Sequence, residues 1–411
     1  MCKPHKPGFW ILLLYARLGK QYLLKLAHSS IYIKCRSLPH SCYTLNQSTL
    51  STSLQITRQR YPELELPRSP AKMASSLGST MKAAVWKGNA GGLHKNLSID
   101  SSAPLPKNAK NLPKDHTLVK VSYASINPVD YKLPEAPLIG SLAFSTGTPG
   151  LDFAGTVVES TLPHLKPGEP VFGKTEPPVF GSIAEYLIVG KQACCPVPDG
   201  VKLEDASTVG VCGLTALQTL APFVKDGAKV FLNGGSGGVG TYQIQIAKAL
   251  GCHVTTTCSG ANVDLCKSLG ADEVLDYRTT DIVAHLSRQG TQYDHIVDNV
   301  FNSADLYWNC HKYLKPGCQY ITIAGSAQFT TIKNILSIFL WPGFLGGGQR
   351  KFGFVMANSD VQMYEQIAKW MKDGKVKPVI EQVFSLEEVG KAYERLKTGR
   401  TRGKLVIRVG A

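Results

Sequence analysis

No stretch of this 411-residue chain is apolar for the roughly 20 residues that a helix needs to cross a bilayer. The run Phe9 to Tyr15 is followed at once by Arg17 and Lys20, with no convincing cleavage site of the kind a secretory signal carries. The chain has 11 cysteines, yet no two are spaced C-x-x-C and none stands at zinc-ligand spacing from histidines. That removes the sequence case for a disulfide framework or a bound metal. Several of the cysteines lie in apolar helix or strand patterns, where a free thiol behaves as a small hydrophobe. A reducing compartment suits them, and secretion does not. Acids are missing altogether from residues 1–62, and residues 1–72 hold eleven Lys/Arg against only Glu63 and Glu65. Most of the formal charge of +15 is therefore concentrated there, and the rest of the chain is only mildly basic. Helix-turn-helix, zinc-finger and RNA-binding signatures are lacking too, so nucleic acid is not an expected partner.

What is present begins with 43% hydrophobic and 18% charged residues, enough to build a core and too few charges for wholesale disorder. Residues 1–80 read as an extension outside the fold, disordered on its own. Their richness in Arg, Lys, Ser and Thr is that of a mitochondrial transit peptide. Met73-Ala-Ser-Ser and Met81-Lys-Ala-Ala-Val-Trp each also look like natural starts, which would make residues 1–72 upstream sequence. Both readings stay open, and the expected location is cytoplasmic or mitochondrial.

From Met81 the pattern is of short strands and turns. Lys82–Trp86 is an apolar strand, Val119, Val121 and Tyr123 alternate with Lys120 and Ser122, and Gly150–Glu159 and Ala184–Val189 read likewise. This predicts an irregular β domain over residues 81–213. From Leu214 the rhythm becomes strand, helix, strand, with Lys229–Asn233, His253–Thr257, Glu273–Leu275, Tyr293–Val297 and Gln319–Ala324 as strands. Alternating βα units imply a parallel sheet covered by helices, here over 214–345. Residues 346–411 add a helix over 360–373, a capping box at Ser385 and Glu388, and a last strand, Lys404–Val409.

The glycine run Gly235-Ser236-Gly237-Gly238-Val239-Gly240 lies between a strand and a helix, with another strand beyond. In that setting G-x-G-x-x-G is a dinucleotide turn. The first glycine permits the tight turn, the second lets backbone approach a pyrophosphate, and the third lets helix and strand pack closely. The helix N-terminus at Val239 offers N–H groups and a positive dipole end to the phosphates. NAD-specific sites place an acid about 20 residues on, at the end of the second strand. Here that place reads Thr257-Cys258-Ser259-Gly260-Ala261-Asn262, without a carboxylate. Ser259 and Asn262 can donate to a 2′-phosphate, which favours NADPH, or they can simply cap the following helix.

Asn127-Pro128-Val129-Asp130, Gly150-Leu151-Asp152-Phe153-Ala154-Gly155, Gly213-Leu214-Thr215-Ala216 and the glycine run occur in this order. With them the chain, from about Met81 onward, resembles the medium-chain dehydrogenase/reductase superfamily. Within it the chain looks most like the quinone oxidoreductase branch, which includes NADPH-dependent quinone and enone reductases and reticulon-4-interacting-protein-like members. The resemblance implies an α/β fold: a GroES-like β domain, closed by the C-terminal segment, joined to a Rossmann doubly wound parallel sheet. It also implies a homodimer. Zinc-dependent relatives carry a Cys within the segment matched by Ser125–Asp130 and a Gly-His-Glu at Gly150-Leu151-Asp152, and neither is present. Cys212 lies near their third catalytic ligand, but one cysteine does not hold a metal. By the same resemblance Thr215 meets the nicotinamide carboxamide. Ser236, Gly238 and Val239 serve the pyrophosphate, and Ser259, Asn262 and Tyr277 the adenosine phosphate. Asn299 and Phe352-Gly353-Phe354 complete the nicotinamide end. For Tyr277 and Phe354, packing in the core is an equal alternative.

Hydride transfer to a quinone or an α,β-unsaturated carbonyl compound asks the protein to orient the cofactor and stabilise charge on the substrate oxygen. Asn127 offers two amide N–H groups for that purpose, and the proton comes from Tyr131 or Lys132, which follow directly, or from water. The alternative is that Asn127 and Asp130 only pin their loop. Enoyl-thioester reductases of the branch place a catalytic tyrosine a few residues beyond Asn-Pro, and residues 132–140 hold none. That favours quinone or free-enone reduction over the enoyl-thioester alternative. A third class, a non-catalytic NADPH sensor or scaffold, also fits a cofactor turn alone. Finally, Ile335 to Leu345 is an apolar run ending in Gly346-Gly347-Gly348. It reads as a hydrophobic lid over a lipophilic substrate, as subunit packing, or as peripheral membrane contact.

Overall fold

The computed structural model describes residues 77–410, apart from 89, 137–139, 141–143, 177–178, 324–328 and 341–347, and the backbone of four earlier strands. Met1–Ser69 and Pro70–Ala411 are separate compact units. In the first, strands β1 (Ile11–Leu14), β2 (Tyr22–Ala27), β3 (Ser30–Cys35) and β4 (Cys42–Asn46) pair antiparallel in chain order.

The second unit opens with β5 (Thr80–Lys87), β6 (Leu97–Pro104), β7 (His116–Ile126) and β8 (Thr146–Gly147). Then come β9 (Asp152–Ser160), β10 (Pro170–Lys174), β11 (Tyr186–Gly190) and β12 (Cys194–Pro196). Strands β6, β5 and β8 make a small sheet. The larger one runs β12-β10-β9-β7 and continues into two strands from the end of the chain, with β11 also on β7. In β7 the expected alternation holds at buried Val119 and Val121 around exposed Lys120, then a register irregularity between Val121 and Tyr123 interrupts it. Leu118 is buried as well, because a second apolar cluster with Ala109 and Val158 covers the other face.

The chain next forms helices Leu203–Ala206 and Gly210–Leu220, then β13 (Lys229–Asn233), helix Gly238–Ala249 and β14 (His253–Cys258). Helix Val263–Ser268, β15 (Glu273–Asp276), helix Ile282–Gln289 and β16 (Tyr293–Asp298) follow, then β17 (Leu314–Thr322) and β18 (Lys351–Phe354). These six strands pair in the order β15-β14-β13-β16-β17-β18, all parallel. Helix Ile282–Gln289 has no counterpart in the sequence reading, although Asp281 caps it by accepting the Ala284 N–H at 3.0 Å. The strand order reverses between β13 and β16, and the crevice at such a switch point is where ligands bind in open α/β sheets. Helices Gly210–Leu220 and Gly238–Ala249 bury Leu214, Leu217, Tyr242, Ile244 and Ile246 in one core with Val230, Leu232 and Val254 of the sheet. Burial of each large apolar side chain contributes about 1.5–3 kcal/mol.

Helix Val361–Lys372, capped by Asp360, leads to β19 (Ile380–Ser385), helix Val389–Lys397 and β20 (Lys404–Arg408). The capping box at Ser385 and Glu388 is present. β20 pairs antiparallel with β7, Leu405 opposite Ile126, so the last strand returns to the first domain's sheet. Helix Phe329–Leu340 carries part of the apolar run. Ile338 is buried in the aromatic cluster under β17, while Leu336 and Leu340 are exposed. Trp341, Phe344, Leu345, Gly346 and Gly347, which include two of the three expected hinge glycines, lie outside the described residues. Among the described residues no helix is long and apolar enough to cross a membrane.

Candidate active site

The glycine turn leaves the C-terminal end of β13 beside the switch point. Each glycine answers a different steric demand. The positive φ of the turn falls on Gly234 (91°), one residue before the run. Gly235 is required by packing instead: a Cβ there would stand 2.2 Å from Thr256 Oγ1. The role expected of the first glycine thus moves to its neighbour. At Gly240 a Cβ would stand 2.2 Å from the Gly234 carbonyl, which is the close helix–strand contact assigned to the third glycine. At Gly237 the atom nearest to an added Cβ is 3.9 Å away, so the space on that side is open and a phosphate can approach. Gly237 precedes helix Gly238–Ala249, whose first N–H groups, including that of Val239, point to the turn.

Ser236, Ser259 and Asn262 come together at this end. The Asn262 amide donates to both Ser236 Oγ and Ser259 Oγ at 3.2 Å. Tyr277 is 55% exposed, so it is not a core aromatic, and its N–H donates to the Cys258 carbonyl at 3.1 Å. One group escaped the sequence reading. Asp276, at the end of β15, brings a carboxylate oxygen to 2.6 Å from where a Gly260 Cβ would stand. Its other oxygen accepts the Arg278 N–H at 2.9 Å. The tip of β14 is free of acids in sequence, but the neighbouring strand supplies one in space.

On the other side, Asn299 leaves β16 and donates through Nδ2 to Gln243 Oε1 at 2.7 Å. Asn299 Oδ1 is buried with no partner, so an acceptor is left for a ligand's N–H. Gln243, fully buried in helix Gly238–Ala249 and itself donating to Thr219 Oγ1 at 3.0 Å, orients Asn299 and was not anticipated. Thr215, nearly buried, donates back to the Val211 carbonyl at 2.7 Å and keeps its oxygen lone pairs. Phe352 packs against Tyr307 and Tyr320, at centroid distances of 5.0 and 6.0 Å. A Cβ at Gly353 would meet Gln319 at 2.6 Å, and Phe354 is exposed. The open Gly237 cradle, the helix N-terminus and the orphaned Asn299 oxygen together fit a dinucleotide.

The Asn127 segment is different in kind. Asn127 caps the short helix Pro128–Lys132 and is buried. Its Nδ2 donates to Asp152 Oδ2 at 2.9 Å and faces the Ser125 carbonyl at 3.5 Å. Its Oδ1 accepts from Lys404 Nζ at 2.5 Å and from Cys212 Sγ at 3.5 Å. One amide N–H is thus committed to Asp152, as the pinning role requires, and the other lies at the outer edge of hydrogen-bond range from the Ser125 carbonyl. Asp130 Oδ2 accepts the Asn127 N–H at 2.8 Å and the Tyr393 hydroxyl at 3.2 Å, while Oδ1 is buried without a partner. Burial pushes the Asp130 carboxyl up to about 8, with the Asp152 charge adding to the rise and the Asn127 N–H opposing it. Tyr131 is half-buried, with Lys397 Nζ 5.3 Å from its ring centre, and burial raises its phenol. Lys132 is half-buried too, and burial holds its amine below the usual lysine range.

Asp152 and Lys404 complete this cluster, and the sequence reading assigned neither a role. Asp152 accepts the Val211 N–H at 2.7 Å and the Ser125 hydroxyl at 2.9 Å, besides Asn127. Lys404 Nζ donates to the Ile126 carbonyl at 3.1 Å and lies 3.3 Å from Asp152 Oδ2. The signal was available: each is a lone charge in an apolar strand, Leu151-Asp152-Phe153 and Lys404-Leu405-Val406, and buried charges come paired.

A Rossmann sheet with a glycine turn, facing a β domain closed by the C-terminal strand, defines a two-domain oxidoreductase built for a nicotinamide cofactor. Family models agree. Residues 113–199 match the alcohol dehydrogenase GroES-like domain and residues 269–407 the zinc-binding dehydrogenase family. The trans-enoyl reductase pgmF of Aspergillus terreus is 45% identical over 353 residues, covering 82% of this chain and 98% of that protein. A chloroplastic quinone-oxidoreductase homolog of Spinacia oleracea is 29% identical, covering 80% and 98%. The structure of the quinone oxidoreductase from Coxiella burnetii superposes with a TM-score of 0.69 at 27% identity, covering 80% of this chain and 99% of that one. The chain belongs to the medium-chain dehydrogenase/reductase superfamily, in its quinone oxidoreductase-like branch.

Zinc, which one of these family descriptions names, does not fit the residues here. Ser125, Asp152 and Cys212 do gather near one point, but the Lys404 ammonium fills it. Only Asp152 and Cys212 remain as donors, short of the three or four that zinc takes. Among the described residues no group of three or more His, Cys, Asp or Glu side chains is arranged to hold a metal.

Proposed function

We propose that this oxidoreductase uses NADPH to reduce quinones or α,β-unsaturated carbonyl compounds of small, lipophilic type. The observation that carries the cofactor half is the Ser236–Ser259–Asn262 cluster, whose hydroxyl and amide groups meet at the acid-free tip of β14. These groups donate to a 2′-phosphate. Asp276 opposes them, and Tyr277 and Arg278 beside it supply a phenol and a guanidinium. The nicotinamide ring, when bound, supplies the hydride. Thr215 and Asn299 hold its carboxamide, the Asn299 oxygen accepting an amide N–H. With Asn127 committed to Asp152, charge on the reduced substrate's oxygen is met by Tyr131 and Lys132. Burial lowers the Lys132 pKa and so eases release of its proton.

NADPH consumption by the full chain, followed at its absorbance band against quinones and enones, tests this reading. Turnover with NADPH at least about tenfold above NADH supports it, and equal rates remove the 2′-phosphate assignment. Asp276→Asn is expected to widen the preference. Tight NADPH binding without turnover on any acceptor supports a sensor or scaffold instead. A second reading, reduction of trans-enoyl intermediates, is favoured by the 45% identity to a trans-enoyl reductase. Trans-enoyl thioesters outpacing quinones and free enones in the same panel would select it.

A further inference from the structure

The Lys404 ammonium is buried, with 2% of its side chain exposed, and all three of its protons have oxygen acceptors: Ile126 O, Asn127 Oδ1 and Asp152 Oδ2. These acceptors lie on the segment that leads into Tyr131 and Lys132 and on the first residue of β9. The same lysine reaches the cofactor turn. The Gly403 N–H donates to the Ser236 carbonyl at 2.9 Å, and Gly237 and Gly403 form an isolated parallel bridge. A Cβ at Gly238 would stand 2.9 Å from Cys212 Sγ and 3.2 Å from Lys404 Cδ. In the dinucleotide fingerprint Gly238 is one of the unrestricted positions. Here it is glycine because the lysine stem and the thiol press against it. Asp152 is held in turn by the Val211 N–H at the start of helix Gly210–Leu220. The ammonium therefore ties β7 to β9, Asp152 adds that helix, and the Gly403 backbone and the lysine stem reach the glycine turn. Burial works against its charge, but Cys212, Asp152 and Asp130 outweigh it and hold Lys404 above the usual lysine range.

We propose that Lys404 is the resident cation of this site, standing where metal-dependent relatives carry zinc, and acts as a positioning residue that locks the Asn127–Lys132 segment to the cofactor turn. A fixed charge on a β-strand replaces an exchangeable one. It cannot act as a Lewis acid on substrate, because its three protons are spent and it has no exposed face. Its contribution is to set where Tyr131 and Lys132 stand relative to the nicotinamide. That last step rests on the reductase reading above, whereas the lock itself does not.

The test is a variant that removes both buried charges without leaving one unpaired, Lys404→Met with Asp152→Asn. Three quantities are compared with wild type: amide hydrogen exchange over residues 125–132, NADPH affinity, and kcat. With the melting temperature preserved, exchange in that segment is expected to rise about tenfold or more and kcat to fall about tenfold or more. NADPH affinity stays within about threefold, because the Gly403–Ser236 bond is between backbone groups. Unchanged exchange in a folded double variant overturns the lock. Faster exchange with unchanged kcat overturns the positioning role, and wild type without turnover strikes the reductase reading alone. Zinc uptake keeps the proposal falsifiable if the variant fails to fold. Wild type dialysed against zinc is expected to retain none that depends on Cys212. A stoichiometric zinc, lost in Cys212→Ala, would overturn the assignment of Lys404 as the cation.

Discussion

The two halves of this site are made of different materials. The cofactor half is backbone: glycines with no room for a side chain, a helix N-terminus, and hydroxyls within one βαβ unit. The Asn127 half is side-chain charge, with Lys404 bonded to a carbonyl 278 positions away and Asp152 held by groups from three other segments. A backbone site fails sterically when a methyl is added and is indifferent to pH. A buried charge cluster fails electrostatically when one member is removed, and it responds to protons.

Asp152→Ala should show the largest effect. It strands the Lys404 ammonium in the interior, where breaking a buried pair costs about 3–5 kcal/mol. Denaturant unfolding would check this, and a loss near that of an exposed ion pair would mean that water reaches the cluster. Next in size is Gly240→Ala, whose new methyl meets a carbonyl at 2.2 Å. Overpacking of that kind costs about 1–3 kcal/mol, and a backbone neighbour cannot rotate away. Gly237→Ala sharpens the contrast, because its methyl enters open space. Thermal melts should match wild type while NADPH affinity, read by fluorescence titration, drops about tenfold or more. Equal damage to stability at both glycines would dissolve the distinction between a packing glycine and a ligand-facing one.

The smallest effect, reckoned per pH unit, is on pH dependence. Burial pushes the Asp130 carboxyl from its ordinary value of 3.8 up to about 8, so between these values the native state holds a proton that the unfolded chain has released. Stability therefore falls as pH rises through that window, by at most about 1.4 kcal/mol per unit, and levels off above it. Asp130→Asn should flatten the slope between about pH 4 and 8, since the amide oxygen still accepts the Asn127 N–H. His295 tilts the opposite way. Burial pulls it down to about 4, so stability is lost as pH falls below about 6.5 in both proteins. Urea titrations at several pH values separate the two, and an Asp130→Asn slope equal to wild type would show that Asp130 is ionised in the fold.

Much of the architecture was legible because its signals are local. A short apolar run marked Lys229–Asn233 to the residue, helical spacing marked Val361–Lys372 to within a residue or two, and Ser385 with Glu388 announced their capping box. Helix Ile282–Gln289 and the short strands β10, β12 and β19 escaped, being too brief for a period to stand out or, for the helix, passed over despite its cap at Asp281. The glycine run was readable for the same reason as the strands, since the demands on Gly235 and Gly240 come from residues within one βαβ unit.

By itself the sequence determined the βαβ turn, the hydrophilic tip of β14 and the absence of a zinc-ligand spacing. Each depends on residues that neighbour one another in the chain. Tertiary structure alone decided that Asp276 stands beside Gly260, that Asn127 spends its amide on Asp152, and that Lys404 fills the centre of the cluster. The physical reason is that a buried charge chooses its partners by space and not by sequence. A lysine opening an apolar strand says that a counter-charge exists, but only the return of β20 to β7 says which one.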